Sequence, residues 1–224
     1  MQQQNEGHMF GNEFQHSAAI SDRDLLAQLL RPVVGASARQ TATHLIGSFG
    51  SLSGVLAAAQ NKSHLVPTAD PAVYSLLDAI KSAAERVARD RINPTAPILS
   101  SMGDLLDYLH VRLAFERIEK FHVLFLDKKN RLIADEVQQH GTVDHTPVYP
   151  REVIKRTLEL SSTALILVHN HPSGDPAPSA ADVRMTRSIL DVAKPLGIIV
   201  HDHIIIGMAG HASMRALRLL DTKG

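Results

Sequence analysis

The chain has no cysteine and no tryptophan, and only 4% of its 224 residues are aromatic. Without thiols it can build no disulfide scaffold, no Cys-ligated zinc site, no iron–sulfur cluster and no thiol nucleophile; any metal must be held by His, carboxylates or water. It also lacks a charge excess, since 23 Lys and Arg balance 23 Asp and Glu, which gives no general attraction to nucleic acid or to an anionic membrane surface. No run approaches the roughly 18 apolar residues that span a bilayer. The opening stretch "MQQQNEGHMFGNEFQHSAA" carries no Lys or Arg and no apolar segment of leader type. A cytoplasmic protein is therefore expected. What is present is 44% hydrophobic residues, ample for a buried core, and 13 histidines, which invite a search for ligand spacing.

Residues 1–20 are polar and without period, and are expected to form a disordered tail. From "SDRDLLAQLL" the signals are helical: Ser21 can cap, Asp22 and Asp24 suit a first turn, and Leu25, Leu26, Leu29 and Leu30 make an apolar stripe that Pro32 limits. "ARQTATHLIGSF", "SLSGVLAAAQ" and "DPAVYSLLDAIKSAAERVARDR" continue in that style, so residues 21–91 read as a small all-α domain. "RINPTAPILS", with its two prolines, reads as a linker over 92–101.

Residues 102–224 open with a further helix, "MGDLLDYLHVRLAFERIEK". The texture then turns to strands. "FHVLFLD" and "RLIADEV" read as a hairpin, "GTVDHTPVY" as a third strand, and "TALILVH" and "IIVHDHIIIG" as buried strands, with helices starting at Pro150 and Ser179 between them. The expected fold class is α/β: a small all-α domain followed by a mixed β-sheet domain flanked by helices.

The stretch "HNHPSGDPAPSAAD" follows the apolar strand directly. Residues i and i+2 of a strand share a face, so His169 and His171 can present two imidazoles to one point. The Pro/Gly loop behind them turns the chain sharply and delivers Ser179 and Asp182 to a helix start. Two imidazoles and one carboxylate suit a zinc ion with an open fourth position, where a bound water becomes acidic enough to attack at neutral pH. The same Ser-x-x-Asp is also a capping box that needs no metal. Asp175, inside the loop, is a rival ligand that spacing does not exclude. A second His-x-His, His201 and His203, again places two imidazoles on one strand face, but no loop returns a carboxylate; it reads as structural, or as a hydrogen bond that orients a ligand.

"EKFHVLFLD", "VYPREVIKRTLELSSTALILVHNHPSGDPAPSAAD" and "DHIIIG" closely resemble the JAB/MPN metalloprotease-like domain of bacterial RadC-type proteins. The JAMM signature of that family is an upstream Glu, then His-x-His-Pro, six residues, Ser, two residues and Asp, and this sequence matches each position. The resemblance covers about residues 102–224. It implies one Zn2+ held by His169, His171 and Asp182, with Glu119 as general base on the water and Ser179 supporting the oxyanion. Glu116 is a less favoured neighbour of Glu119, and Glu136 and Glu152 lie elsewhere. The implied activity is zinc-dependent hydrolysis of peptide or isopeptide bonds, with a protein or peptide as substrate.

"SDRDLLAQLL" and "GSFGSLSGVLAA" resemble the leading helical region of the same family, which usually continues into a glycine-containing helix-hairpin-helix. Here no glycine lies between Gly54 and Gly103, and "HLVPTADPAVY" stands in place of that hairpin. Backbone contact with a phosphate is therefore not expected. Residues 21–100 carry 8 Lys and Arg against 6 Asp and Glu, so charge gives no support for DNA binding either. Beside the hydrolase, two alternatives stand: an accessory protein of DNA repair or recombination acting through a protein partner, and a metal-free interaction module.

Overall fold

The computed structural model describes residues 20–60, 70–140 and 148–220. Four helices come first among the described residues: α1 (Asp22–Val34), α2 (Ala38–Phe49), α3 (Leu52–Gln60) and α4 (Pro71–Asp90). Ser21 caps α1 by accepting from the Asp24 amide at 3.2 Å, and Asp70 caps α4 ahead of a proline at the first helical position, where a missing N–H costs nothing. Pro32 does not end α1, which runs on to Val34. It sits in the last turn, so only one intrahelical bond is forfeited there. Leu26, Leu30, Leu45, Val55, Val73 and Leu77 close this bundle's own core.

The segment 92–101 is not an open strand of polypeptide. Ile92 and Ile98 are buried in the same cluster as Ala88 of α4 and the next helix, α5 (Met102–Leu113). The helical signal of "MGDLLDYLHVRLAFERIEK" runs to Lys120, yet α5 stops seven residues earlier, at Leu113. A tertiary capture explains the difference: the carbonyls of Glu116 and Ile118 accept from the Asn170 side-chain amide at 3.3 and 3.1 Å, and the Lys120 amide donates to Asn170 Oδ1 at 2.8 Å. Those backbone groups are satisfied by a strand fifty residues on rather than by another helical turn.

Among the described residues five strands form one sheet in the order β2-β1-β3-β4-β5. They are β1 (Lys120–Leu126), β2 (Leu132–His140), β3 (Ala164–Asn170), β4 (Ile199–Gly207) and β5 (Gly210–Ser213). All neighbours are antiparallel except β3 and β4, and that parallel pair needs a crossover, supplied by α7 (Ala180–Ala193). The helix α6 (Pro150–Glu159) connects the β2 side to β3 and packs beside α7. The expected third strand, "GTVDHTPVY", falls on residues 141–147, outside the described residues, and on Val148 and Tyr149, which are not in a strand. The short β5 was not anticipated; "GHAS" carries no strand signature and is recruited by pairing with β4.

The sheet is covered on both faces. Phe121, Val123, Phe125, Leu165 and Leu167 face α6 and α7, where they meet Val153, Ile154, Ile189 and Ala193. Leu124, Leu126, Ile166, Val168, Ile204 and Ile206 face α5, against Leu105, Tyr108, Leu109 and Leu113. Every residue of β3 is buried, as a central strand of a two-sided sheet must be.

Candidate metal centre

Strand alternation along β3 sends His169 to the α7 face and Asn170 to the α5 face. Beyond the strand end His171 returns to the α7 side, and its amide donates to the Ile206 carbonyl at 2.9 Å, so β4 steers the chain through the exit. The loop then folds flat onto the β4–β5 turn: the Ala209 amide donates to the Gly174 carbonyl at 3.1 Å. Glycine is required on both sides of this approach. Gly174 has φ +88°, and a Cβ on Gly207 would sit 2.3 Å from the Gly174 carbonyl oxygen.

The loop ends at Ser179, the N-cap of α7. The Asp182 amide donates to Ser179 Oγ at 3.1 Å, and the Ser179 amide donates to Asp182 Oδ2 at 2.7 Å. This is the reciprocal capping box expected from Ser-x-x-Asp, and it fixes the Asp182 carboxylate toward the histidines. His169 Nε2 lies 3.0 Å from His171 Nε2 and 3.3 Å from Asp182 Oδ1, and His171 Nε2 lies 3.4 Å from Asp182 Oδ2. Capping and ligand presentation are thus compatible in one side chain. A tetrahedral zinc with bonds near 2.05 Å separates its ligand atoms by about 3.3 Å. Each imidazole meets its own oxygen of Asp182 near that spacing, and one ligand atom from each residue lies within 4.8 Å of the others, so the group could hold such an ion; two ring nitrogens so close need a shared proton or cation between them.

Asp182 is buried, and burial alone would raise its pKa; the His169 and His171 imidazoles set against its carboxylate outweigh this and hold it well below the usual carboxylate range. His171 is raised by that same carboxylate against the opposing effect of burial, with smaller contributions from the Asp175 carbonyl and the charge of Glu119. His171 Nδ1 donates to the Asp175 carbonyl at 2.8 Å, which leaves Nε2 directed at the shared point. Asp175 contributes this backbone oxygen only. Its carboxylate is exposed and accepts from the Ala177 amide at 3.0 Å, so the rival ligand is spent on the loop.

Glu119 directly precedes β1, partly exposed. The β1–β3 register pairs Phe121 with His169, and carrying it one pair beyond Lys120 sets Glu119 opposite His171, within electrostatic reach of its ring. Glu116 is placed elsewhere: its side chain is 1% exposed, Oε1 takes Lys81 Nζ at 2.6 Å, and Lys120 Nζ lies 2.7 Å from Oε2 as an ion pair. Glu136 is engaged by Arg156 at 2.7 and 2.8 Å, and Glu152 by Arg151 at 3.2 Å on the surface.

The second His-x-His does not behave as one unit. Leu165 pairs with Val200 but Ile166 with Asp202, so His201 is the extra residue of a bulge and the two imidazoles part. His201 Nε2 meets Asn130 Oδ1 at 2.6 Å in the β1–β2 turn, at the far end of the sheet. His203, fully buried, instead reaches His169, its Nε2 2.8 Å from His169 Nδ1. Burial and the neighbouring His169 lower its pKa well below the ordinary value. Two residues at the site went unread in the sequence, Asn170 and Thr186. A signal existed for the first, because an Asn inside an otherwise apolar central strand must find partners for a buried amide.

A five-stranded mixed sheet carrying paired histidines at one strand end and an acid at the next helix start defines a JAB/MPN-type α/β domain. The model of the RadC-like JAB domain matches residues 99–219, just over half of the chain, and the protein belongs to that family. No single helix among the described residues is long and apolar enough to cross a membrane.

Proposed function

We propose that the chain is a zinc-dependent hydrolase of amide bonds in a peptide or isopeptide substrate, with His169, His171 and Asp182 as the metal ligands. The observation that supports this reading is the meeting of His169, His171 and Asp182, with one ligand atom from each within 4.8 Å of the others, at a site that the charge of Glu119 also reaches. Zinc held there supplies Lewis acidity, polarising a carbonyl and bringing the pKa of a water near 7.

The chain's own groups do the rest. The Glu119 carboxylate takes a proton from the attacking water and returns it to the amide nitrogen as the C–N bond breaks, giving a carboxylic acid and an amine. Ser179 Oγ is already an acceptor for the Asp182 amide, so its hydroxyl hydrogen is available to the substrate oxygen as negative charge grows. The substrate is taken as a protein or peptide. Direct contact with DNA forms no part of this reading, given the near-neutral balance of the helical half.

Metal content tests the site first. Wild-type protein purified under metal-replete conditions is expected to hold about one zinc per chain, as a single-ion site requires, and His171→Ala and Asp182→Ala to hold almost none. A wild type without zinc, or variants that keep it, removes the site. A screen of peptide and isopeptide substrates then tests the chemistry, and hydrolysis undiminished in Glu119→Gln takes the base role from Glu119.

A further inference from the structure

Behind the ligands a chain of buried polar atoms runs from His169 back to Asp182. His169 Nδ1 lies 2.8 Å from His203 Nε2, His203 Nδ1 lies 2.6 Å from Thr186 Oγ1, and Thr186 Oγ1 lies 2.6 Å from the Asp182 carbonyl oxygen. His169, His203 and Thr186 are all buried, none more than 1% exposed. Groups so buried are satisfied by one another, and their hydrogens are placed by these contacts.

Only one arrangement makes all three contacts hydrogen bonds with neutral rings. A carbonyl can only accept, so the single Thr186 hydrogen goes to Asp182. Thr186 Oγ1 then accepts from His203, which places the His203 hydrogen on Nδ1. His203 Nε2 is left as an acceptor and takes the hydrogen of His169 Nδ1. The consequence is a bare lone pair on His169 Nε2, the atom 3.0 Å from His171 Nε2 and 3.3 Å from Asp182.

We infer that His203 and Thr186 are positioning residues that fix the tautomer and orientation of His169, and tie this ligand on β3 to the ligand on α7 before any ion arrives. This rests on the proposed metal centre but concerns atoms that no ion touches. Thr186 stands one helical turn after Asp182, on the buried face of α7. Its contact with Met214 Sδ at 3.5 Å holds the hydroxyl from the remaining side. The Asp182 carbonyl is therefore pinned by the same atom that orients His203.

The test has two readouts on the full-length chain. In the metal-free protein, nitrogen-15 spectra of the imidazoles report the tautomer of His169, identified as the resonance lost in His169→Gln. Competition with a chromogenic chelator reports zinc affinity. Wild type is expected to show His169 with its hydrogen on Nδ1. His203→Leu is expected to lose that tautomer preference and roughly 10- to 100-fold in zinc affinity, the usual effect of removing a hydrogen-bond partner of a ligating histidine.

Thr186→Val, nearly isosteric, is expected to move both readouts in the same direction by a smaller factor, and it keeps the question open to test should His203→Leu not fold. Thr186→Ser and His203→Gln, which restore the hydroxyl and the acceptor, are expected to recover most of the loss. The inference fails if wild-type His169 carries its hydrogen on Nε2, or if Thr186→Val and His203→Leu leave tautomer and affinity unchanged. A wild type that shows the Nδ1 tautomer yet binds no zinc would instead overturn the proposed function and leave the relay standing.

Discussion

The two faces of the sheet each bury a group of ionisable side chains, and they use them in opposite ways. On the α5 face, Asp135 sits between Arg112 and His122, with Tyr108 donating to the same carboxylate at 2.6 Å. Nearby, Glu116 sits between Lys81 and Lys120. Each acid there is answered by cations and donors. On the α7 face Asp182 is answered by two imidazoles whose remaining nitrogens already have partners, so three sets of lone pairs converge with no permanent cation among them. A cluster that neutralises itself is a brace, and a cluster that leaves a carboxylate without a permanent cation could hold a metal ion.

The contrast breaks most visibly with Asp182→Ala and His171→Ala, which are expected to abolish stoichiometric zinc while leaving a folded protein, read by elemental analysis beside circular dichroism. The mirror experiment is Asp135→Ala. It strands a half-buried guanidinium and is expected to cost about 3 kcal/mol, toward the low end for a broken buried pair, with zinc content of the folded fraction unchanged; equal loss of zinc would show that the two faces are not separate in function.

Asn170→Ala lies between the two, since it leaves the Lys120 amide and two carbonyls without their partner. About 1–3 kcal/mol of stability is expected to go, measured by urea titration, with zinc retained but hydrolysis reduced because the segment bearing Glu119 loosens. Ser179→Ala is expected to cost about 1 kcal/mol as a lost cap and to lower turnover more than zinc affinity; full turnover would return Ser179 to capping alone.

The pH dependence sharpens the same comparison. Burial raises the Asp135 carboxyl, but His122, Arg112 and Tyr108 together outweigh it and the net shift is downward; His122 is lowered chiefly by its burial. Both therefore bind protons more weakly folded than unfolded. Stability falls with pH from about 6.5 for His122 and from about 3.9 for Asp135, and each loss is complete only below the folded value. Asp135→Asn is expected to flatten the lower limb in acid unfolding curves.

Local signals were well legible in the sequence. The caps at Ser21 and Ser179, the buried runs of β1, β3 and β4, and the spacing of His169, His171 and Asp182 all depend on residues within about four positions of one another or on a single loop. What escaped depends on partners remote in the chain. The end of α5 is decided by Asn170, the parting of His201 from His203 by a bulge against β3, and β5 by the edge that β4 offers it. Thr186 escaped for a related reason, because its role exists only once β4 brings His203 beneath α7.

The Lys81–Glu116 pair also governs where this polypeptide can be cut. Shortened to residues 99–219, the chain would keep every proposed ligand and Glu119, yet it would lose Lys81 together with Ala88, Ile92 and Ile98 from the core cluster that α5 shares with the sheet. Among the described residues Glu116 would keep the ion pair with Lys120 and lose that with Lys81, and the α5 face would open to water just beneath the segment that Asn170 holds. The helical half thus forms one wall of the domain it precedes, and a truncation at the family boundary removes that wall while sparing the ligands.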